Sequence, residues 1–347
     1  MNIFLLCPMA DNQSGLYIHD TLVEMGHKVA FLDWRKFTME KGIKSMNEEV
    51  IDAVKQLKPD LTIVIKGLGI AADTIKRMKE VHKHKILGWI FDVTLGNYPL
   101  YPSELDGWTD NARVKPYIEM FKELDIFYTI DEYAVEPLKK EGINAKYLAQ
   151  ACFEIANKKQ IINSVQKKKY GADVVFIGSV GGIHDNRNEL LARIASEGYH
   201  FKIYGDVLYP KDTEPDWVKN HHTGYGVQND MFATVVNSSK IIIGMDGWPE
   251  HDKAWSLRLY KVLCAGGFYL NTHTKKIDEV FKLGEHLDTY KTEDDMIKKI
   301  DYYLSDDVKR EAIGEAGRKE VLDKHQEFHR FEQIFKDIGK VAWVKTP

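Results

Sequence analysis

The chain has 347 residues and a mass of 40.0 kDa, a length that suits two domains of about 100–200 residues each. Lys and Arg total 48 against 52 Asp and Glu, a formal net charge of −4, so overall charge does not equip it to grip nucleic acid, although a local basic stripe stays open. A hydrophobic fraction of 44% with 29% charged residues excludes disorder, collagen-like repeats and low-complexity sequence for the bulk of the chain.

The first apolar run, residues 3–7, lacks a basic leader and stops after a few residues, so it reads as a strand and not as a signal peptide. Further runs follow at 29–32, 61–65, 86–91, 126–130, 174–177, 201–204 and 241–244. They are short and rich in Ile, Val and aromatics, as strands covered on both faces are. Amphipathic stretches lie between them, among them 14–25, 47–57, 72–82 and 187–197. Alternating strand and helix predicts parallel sheets with helices on both faces.

The alternation weakens over 151–171, a polar, basic stretch without a clean apolar face. The expected division is therefore an N-terminal domain 1–155, a linker 156–171, a second doubly wound domain 172–324 and a C-terminal helix 325–347. That last helix, with Phe328, Phe331, Ile334 and Phe335 at helical spacing, is expected to return to the first domain. Upstream of it, Thr292 is placed to cap a helix with Asp295 three residues on. No apolar run approaches the roughly 18 residues of a membrane span, and Cys7, Cys152 and Cys264 have neither metal-site nor redox spacing. A cytoplasmic protein is expected. His82, His84, His221 and His222 read as solvated.

Two stretches carry candidate chemistry. Residues 176–187 run Phe-Ile-Gly-Ser-Val-Gly-Gly-Ile-His-Asp-Asn-Arg, a strand that ends in Gly178, Ser179, Gly181 and Gly182 before a helix bearing Arg187. Glycines bring backbone amides close to a phosphate, and a helix start favours an anion. The spacing is neither the dinucleotide fingerprint nor a Walker loop, and a plain strand-to-helix turn explains it equally well. Residues 256–265 form an apolar-backed helix closed by Gly266 and Gly267. Arg258 and Lys261, three apart, share one face of it, which could also be simply solvated.

The stretch 256–272, followed by Ile277-Asp-Glu-Val-Phe-Lys-Leu-Gly-Glu, by Tyr302-Tyr-Leu-Ser-Asp-Asp and by Ala316-Gly-Arg with His325 and His329, resembles the C-terminal domain of the CgeB-like glycosyltransferases, a branch of the GT-B group. The likeness spans roughly 172–330; the N-terminal half resembles the family in layout, with Gly88-Trp-Ile-Phe-Asp92 and Thr129-Ile-Asp131 at strand ends. The resemblance implies a GT-B fold, two Rossmann-like domains whose parallel sheets face an interdomain cleft. It implies glycosyl transfer from a nucleotide-sugar, expected to be retaining with a UDP-sugar as donor, and the absence of an Asp-x-Asp pattern suits a mechanism without a metal or other cofactor.

By the same resemblance Gly178, Ser179, Gly181, Gly182, Arg187 and Arg258 would meet the donor phosphates, with Lys202 nearby, and Tyr225 would line the nucleobase pocket. Asp92 would act as base or sugar-positioning group, its alternative being a turn cap; Gly15 and Asp131 would lie on the acceptor side. One position departs from the family: Lys261 stands where many GT-B enzymes carry a Glu that accepts from both ribose hydroxyls, and lysine has donors only. Three readings follow. Lys261 turns with Arg258 to the pyrophosphate; or Asp246 or Asp252 replaces the lost acceptor; or donor binding is gone. The acceptor stays open between glycan, protein, metabolite and modified DNA base, with Trp89, Tyr98, Tyr101 and Trp108 as candidate stacking groups. The rival functions are a nucleotide-sugar epimerase of the same architecture and a non-catalytic binding protein.

Overall fold

A computed structural model of the chain describes residues 1–9, 14–67, 69–91, 111–182 and 185–340, without the side chains of 111–116 and 185–186. The chain forms two compact units. The first comprises Met1–Ala149 and the C-terminal segment from Glu327; the second is Gln150–Gln326.

The first unit holds a six-stranded sheet, β1 (Asn2–Leu6), β2 (Lys28–Leu32), β3 (Leu61–Ile65), β4 (Lys85–Ile90), β5 (Ile126–Thr129) and β6 (Ala145–Tyr147), in the order β2-β1-β3-β4-β5-β6. All its pairings are parallel. Alternation along β1 divides two cores: Phe4 and Leu6 pack with Met46, Val50 and Val54 of the helix Ile43–Leu57, while Ile3 and Leu5 pack on the opposite face. That is why these runs read as continuously apolar.

On the second face lies the helix Glu327–Asp337, which buries Phe331, Ile334 and Phe335 beside Ile3 and Leu5. Full burial of such side chains stabilises by about 1.5–3 kcal/mol each. Its end is pinned by the Tyr128 hydroxyl, which donates to Asp337 Oδ2 at 2.9 Å, and by Lys146 at 3.0 Å.

The second unit holds five parallel strands, β7 (Val174–Ile177), β8 (Phe201–Tyr204), β9 (Ile241–Ile243), β10 (Tyr269–Thr272) and β11 (Asp288–Tyr290), in the order β11-β10-β9-β7-β8. β6 and β11, three residues each, carry too little apolar patterning to stand out in the sequence. The Thr292 cap forms, its side chain accepting from the Asp295 amide at 3.1 Å.

Residues 156–171, expected as a linker, are instead part of the second unit. Asn157 is buried, the Gln160 amide donates to Asn237 Oδ1 at 2.6 Å, and the Tyr204 hydroxyl donates to Tyr170 O. Anchoring here is by hydrogen bonds, which leave no hydrophobic period in the sequence. His82 and His84 also differ from expectation: they stack at 5.3 Å, and His84 Nε2 meets Thr62 Oγ1 at 2.8 Å. His221 and His222 pair with the carbonyls of Trp217 and Gly205.

Candidate functional site

The carboxyl end of β7 is crowded by two cations. Arg187, on the helix Asp185–Ser196, and Arg258, on the helix Leu257–Cys264, lie with their guanidinium carbons 5.6 and 4.8 Å from the centre of the same Phe176 ring. An aromatic face attracts a cation, but here one ring holds two like charges. Arg258 Nε donates to Ile177 O, and Arg187 reaches Ser179 O at 3.2 Å and Met245 O at 3.4 Å. Arg187 Nε and Arg258 Nη1 are buried and have no partner. Burial, followed by the neighbouring Arg258 charge, pulls the Arg187 pKa down to about 10.

A buried, unpaired guanidinium N–H costs free energy that an anion would recover. The nearest carboxylate does not supply it. Asp246, just after β9, accepts from the Ser256 amide at 3.0 Å, from Asn271 Nδ2 at 2.6 Å and from Thr274 Oγ1 at 3.1 Å. It braces the start of the helix Leu257–Cys264, whose cap residue Ser256 makes no side-chain cap bond of its own. The Asp246 oxygens are therefore already engaged, and those of Asp252 are held by Lys275 at 2.7 Å and Lys276 at 2.9 Å.

Lys261, one turn beyond Arg258, sits half-buried with Nζ 5.0 Å from the Phe232 ring centre and 3.4 Å from Gln228 Oε1. Burial, reinforced by Arg258, lowers its pKa to about 8. It is therefore not a freely solvated lysine. Arg187, Arg258 and Lys261 form one electrostatic group, because Arg258 depresses both of the others.

The glycine loop after β7 serves this cluster by closeness. A Cβ on Gly178 would lie 2.4 Å from Arg258 Nη2, so only glycine lets the guanidinium rest there. Gly181, at φ +86°, takes a conformation that glycine adopts readily, and a Cβ there would meet the Tyr209 ring at 2.7 Å. Its amide is already given to Asn188 Oδ1 at 2.9 Å, which removes Gly181 as a free phosphate donor. Ser179 contributes its carbonyl to Arg187. Gly182 is exposed at φ 62°. The Lys202 ammonium donates to Lys169 O at 2.8 Å. Tyr225 is 44% exposed, edge-on to Tyr204 at 5.8 Å.

In the first unit the expected site residues are structural or undescribed. Asp131 is buried, and its Oδ1 accepts from the Tyr133 amide at 3.1 Å to cap a short turn. An acceptor-side carboxylate facing a substrate is not what it presents. Gly15 lets a helix start pass close to the Pro8 carbonyl, 2.1 Å from where a Cβ would lie. Trp89 is core, its indole donating to Leu148 O at 3.3 Å. Asp92, Tyr98, Tyr101 and Trp108 lie outside the described residues.

Sequence reasoning missed Phe176, read only as a strand residue, as well as Gln228 and Phe232. Nothing local marks an aromatic as the platform for two arginines lying 11 and 82 positions away (187 − 176 and 258 − 176).

A family model described as glycosyl transferase-like matches residues 187–336, a span that begins at Arg187 and includes Arg258 and Lys261. No curated protein matches the chain. Among solved structures, sucrose-phosphate synthase from Thermosynechococcus elongatus superposes with a TM-score of 0.71 at 10% identity, covering 98% of this chain and 99% of that one. HepE from Anabaena in complex with UDP-glucose gives 0.63 at 9% identity, with 98% and 99% covered. A putative UDP-N-acetylglucosamine 2-epimerase from Listeria monocytogenes gives 0.55 at 10%, with 100% and 99% covered. At such identities the likeness establishes the fold alone: the chain has the GT-B architecture of two parallel-sheet α/β units.

Proposed function

We propose that the protein is a nucleotide-sugar-dependent glycosyltransferase whose second unit binds the donor diphosphate on Arg187 and Arg258. The observation that carries this reading is the pair of buried, unpartnered guanidinium N–H groups against Phe176, at the carboxyl end of the central β7. Ligands of open parallel sheets bind at such strand ends. Charge develops on the leaving diphosphate as the glycosidic bond breaks, and fixed cations stabilise it without reorganising. Lys261 adds a third charge, so the reading includes donor binding that needs no divalent metal.

A structural relative solved with UDP-glucose supports a UDP-sugar as donor. The CgeB-like subtype and retention at the anomeric carbon belong to the same reading, as does Asp92 as the base or sugar-positioning group. Under a second reading, favoured by the epimerase likeness, the same cations hold a nucleotide-sugar that is changed without any acceptor.

Calorimetric titration of UDP, GDP, CDP and TDP and their sugars, in excess chelator, tests the proposal. One nucleotide should bind selectively; at 100 times its Kd it should stabilise the fold by about 2.7 kcal/mol. Absence of binding, an absolute metal requirement, or full binding by Arg258→Ala would each overturn it. Conversion of the donor sugar with no acceptor present, followed by NMR, would establish the epimerase instead.

A further inference from the structure

A different face of the second unit carries an unpaired chemistry of its own. Ile155, Ile161 and Val165 are 64%, 100% and 72% exposed, and Val308, at the start of the helix Asp307–Lys324, is 80% exposed. Single exposed aliphatics are ordinary, but here three fall within one short stretch. Residues 155–170 also hold Lys158, Lys159, Lys167, Lys168 and Lys169 and no Asp or Glu, in a chain whose net charge is −4.

The stretch is held in place. The helix Ser164–Tyr170 buries none of its residues, yet Asn163 and Gln166 close a capping box at its start. At its end, Gly171 is pressed so close to the Ser238 carbonyl that a Cβ would lie 2.1 Å from it. A helix this short does not persist in water on its own propensity; anchoring at both ends keeps its outer face presented.

The lysines are largely unspent. Lys159 pairs with Glu315 at 2.7 Å, and the Lys169 ammonium lies over the Tyr170 ring. Among the described residues no carboxylate lies within ion-pair distance of Lys158, Lys167 or Lys168. Asp307, next to Val308, is paired with Arg310.

We propose that residues 155–170 form an adhesion face for a phospholipid surface of net negative charge. The lysines would meet the headgroups while Ile155, Ile161 and Val165 enter the interface. Charge complementarity singles out an anionic partner. The exposed aliphatics favour a bilayer over nucleic acid, which would engage the lysines but has no place for three branched apolar side chains.

Co-sedimentation of the full chain with phosphatidylcholine vesicles, with and without phosphatidylglycerol, tests this. Binding is expected only with the anionic lipid, falling as salt rises. Reversing Lys167 and Lys168 to Glu should weaken partitioning by about thirtyfold or more, from a factor of about five for each basic residue near the surface. Ile161→Ser should weaken it by about tenfold. Both variants should keep the wild-type Tm, and Arg258→Ala should bind vesicles normally. Equal binding to neutral vesicles, no vesicle binding, or a wild-type response from Ile161→Ser would overturn the proposal. Competition by duplex DNA with Ile161→Ser unaffected would assign the face to nucleic acid.

Discussion

The two units share an architecture and differ at the carboxyl ends of their strands. In the first, the described carboxylates there, Asp33 and Asp131, are consumed by their own chain. Asp33, after β2, accepts from the Met9 and Lys36 amides, and Asp131, after β5, caps a turn. In the second, Arg187 and Arg258 keep buried N–H groups unmatched, and Lys261 is held near them with its charge partly suppressed. A parallel sheet therefore does not by itself make a site. A site arises where the loops leave charge that the protein does not satisfy, and such buried deficits must be compensated elsewhere or by a ligand.

The comparison can be broken most directly at Arg258. Replacement by Ala should weaken nucleotide affinity by about 1.5–3 kcal/mol, the worth of a charge-assisted and bidentate contact. Titration calorimetry reads this, and an unchanged Kd would mean that the unmatched N–H groups serve no anion.

The next largest effect should come from pH. A bound anion raises the Lys261 pKa from about 8, so binding takes up a proton and affinity declines as pH rises through that value. Between pH 7 and 9 the loss should be about tenfold if the complex keeps the lysine charged. Lys261→Met should remove this dependence; its persistence would place the titrating group elsewhere.

Lys261→Glu sharpens the same point by sign. A carboxylate one turn from Arg258 would pair with it and face the phosphates, so UDP affinity should fall by about 1 kcal/mol. Tighter binding would show instead that the lysine is a lost ribose ligand, which the substitution restores.

The first unit should give no nucleotide effect at all. Asp131→Asn should leave UDP affinity unchanged and cost about 1 kcal/mol of stability through a weakened cap, read by urea unfolding. A loss of affinity here would erase the contrast between the two sheets.

A further effect, on stability and not on affinity, is a slope. Glu327 is fully buried with Oε2 unpartnered, and burial raises its pKa from 4.5 to about 8 despite Arg330. Because the folded pKa lies above the unfolded one, the folded chain holds a proton that the unfolded chain gives up between these values, and stability declines as pH rises through that window. Glu327→Gln should flatten Tm against pH between about 5 and 8; an unaltered slope would assign the titration to another group.

Much of the fold was legible because burial on both faces writes itself as short apolar runs. All eight of those runs lie within one residue of observed strands at either end, the runs 3–7 and 86–91 each being offset by one, from Asn2–Leu6 and Lys85–Ile90. The polar anchoring of residues 156–171 was not legible, since Asn157, Gln160 and Tyr170 hold their places by hydrogen bonds that have no period. At the site, Arg187, Arg258 and Lys261 could be picked out by residue type and spacing. The roles of Gly181 and Asp131 could not, because whether an amide or a carboxylate is free depends on what the folded chain brings to it.

The sequence alone determined the alternation of strand and helix, the glycine turn after β7 and the shared face of Arg258 and Lys261, because these depend on neighbours within about one turn of chain. Only the tertiary structure decided that Phe176 carries both arginines, that Asp246 is spent as a brace, and that Lys261 is half-buried beside Gln228. The physical reason is range. Desolvation and unmatched hydrogen bonds are set by atoms far apart in sequence, and they exist only once the sheet has brought those atoms together.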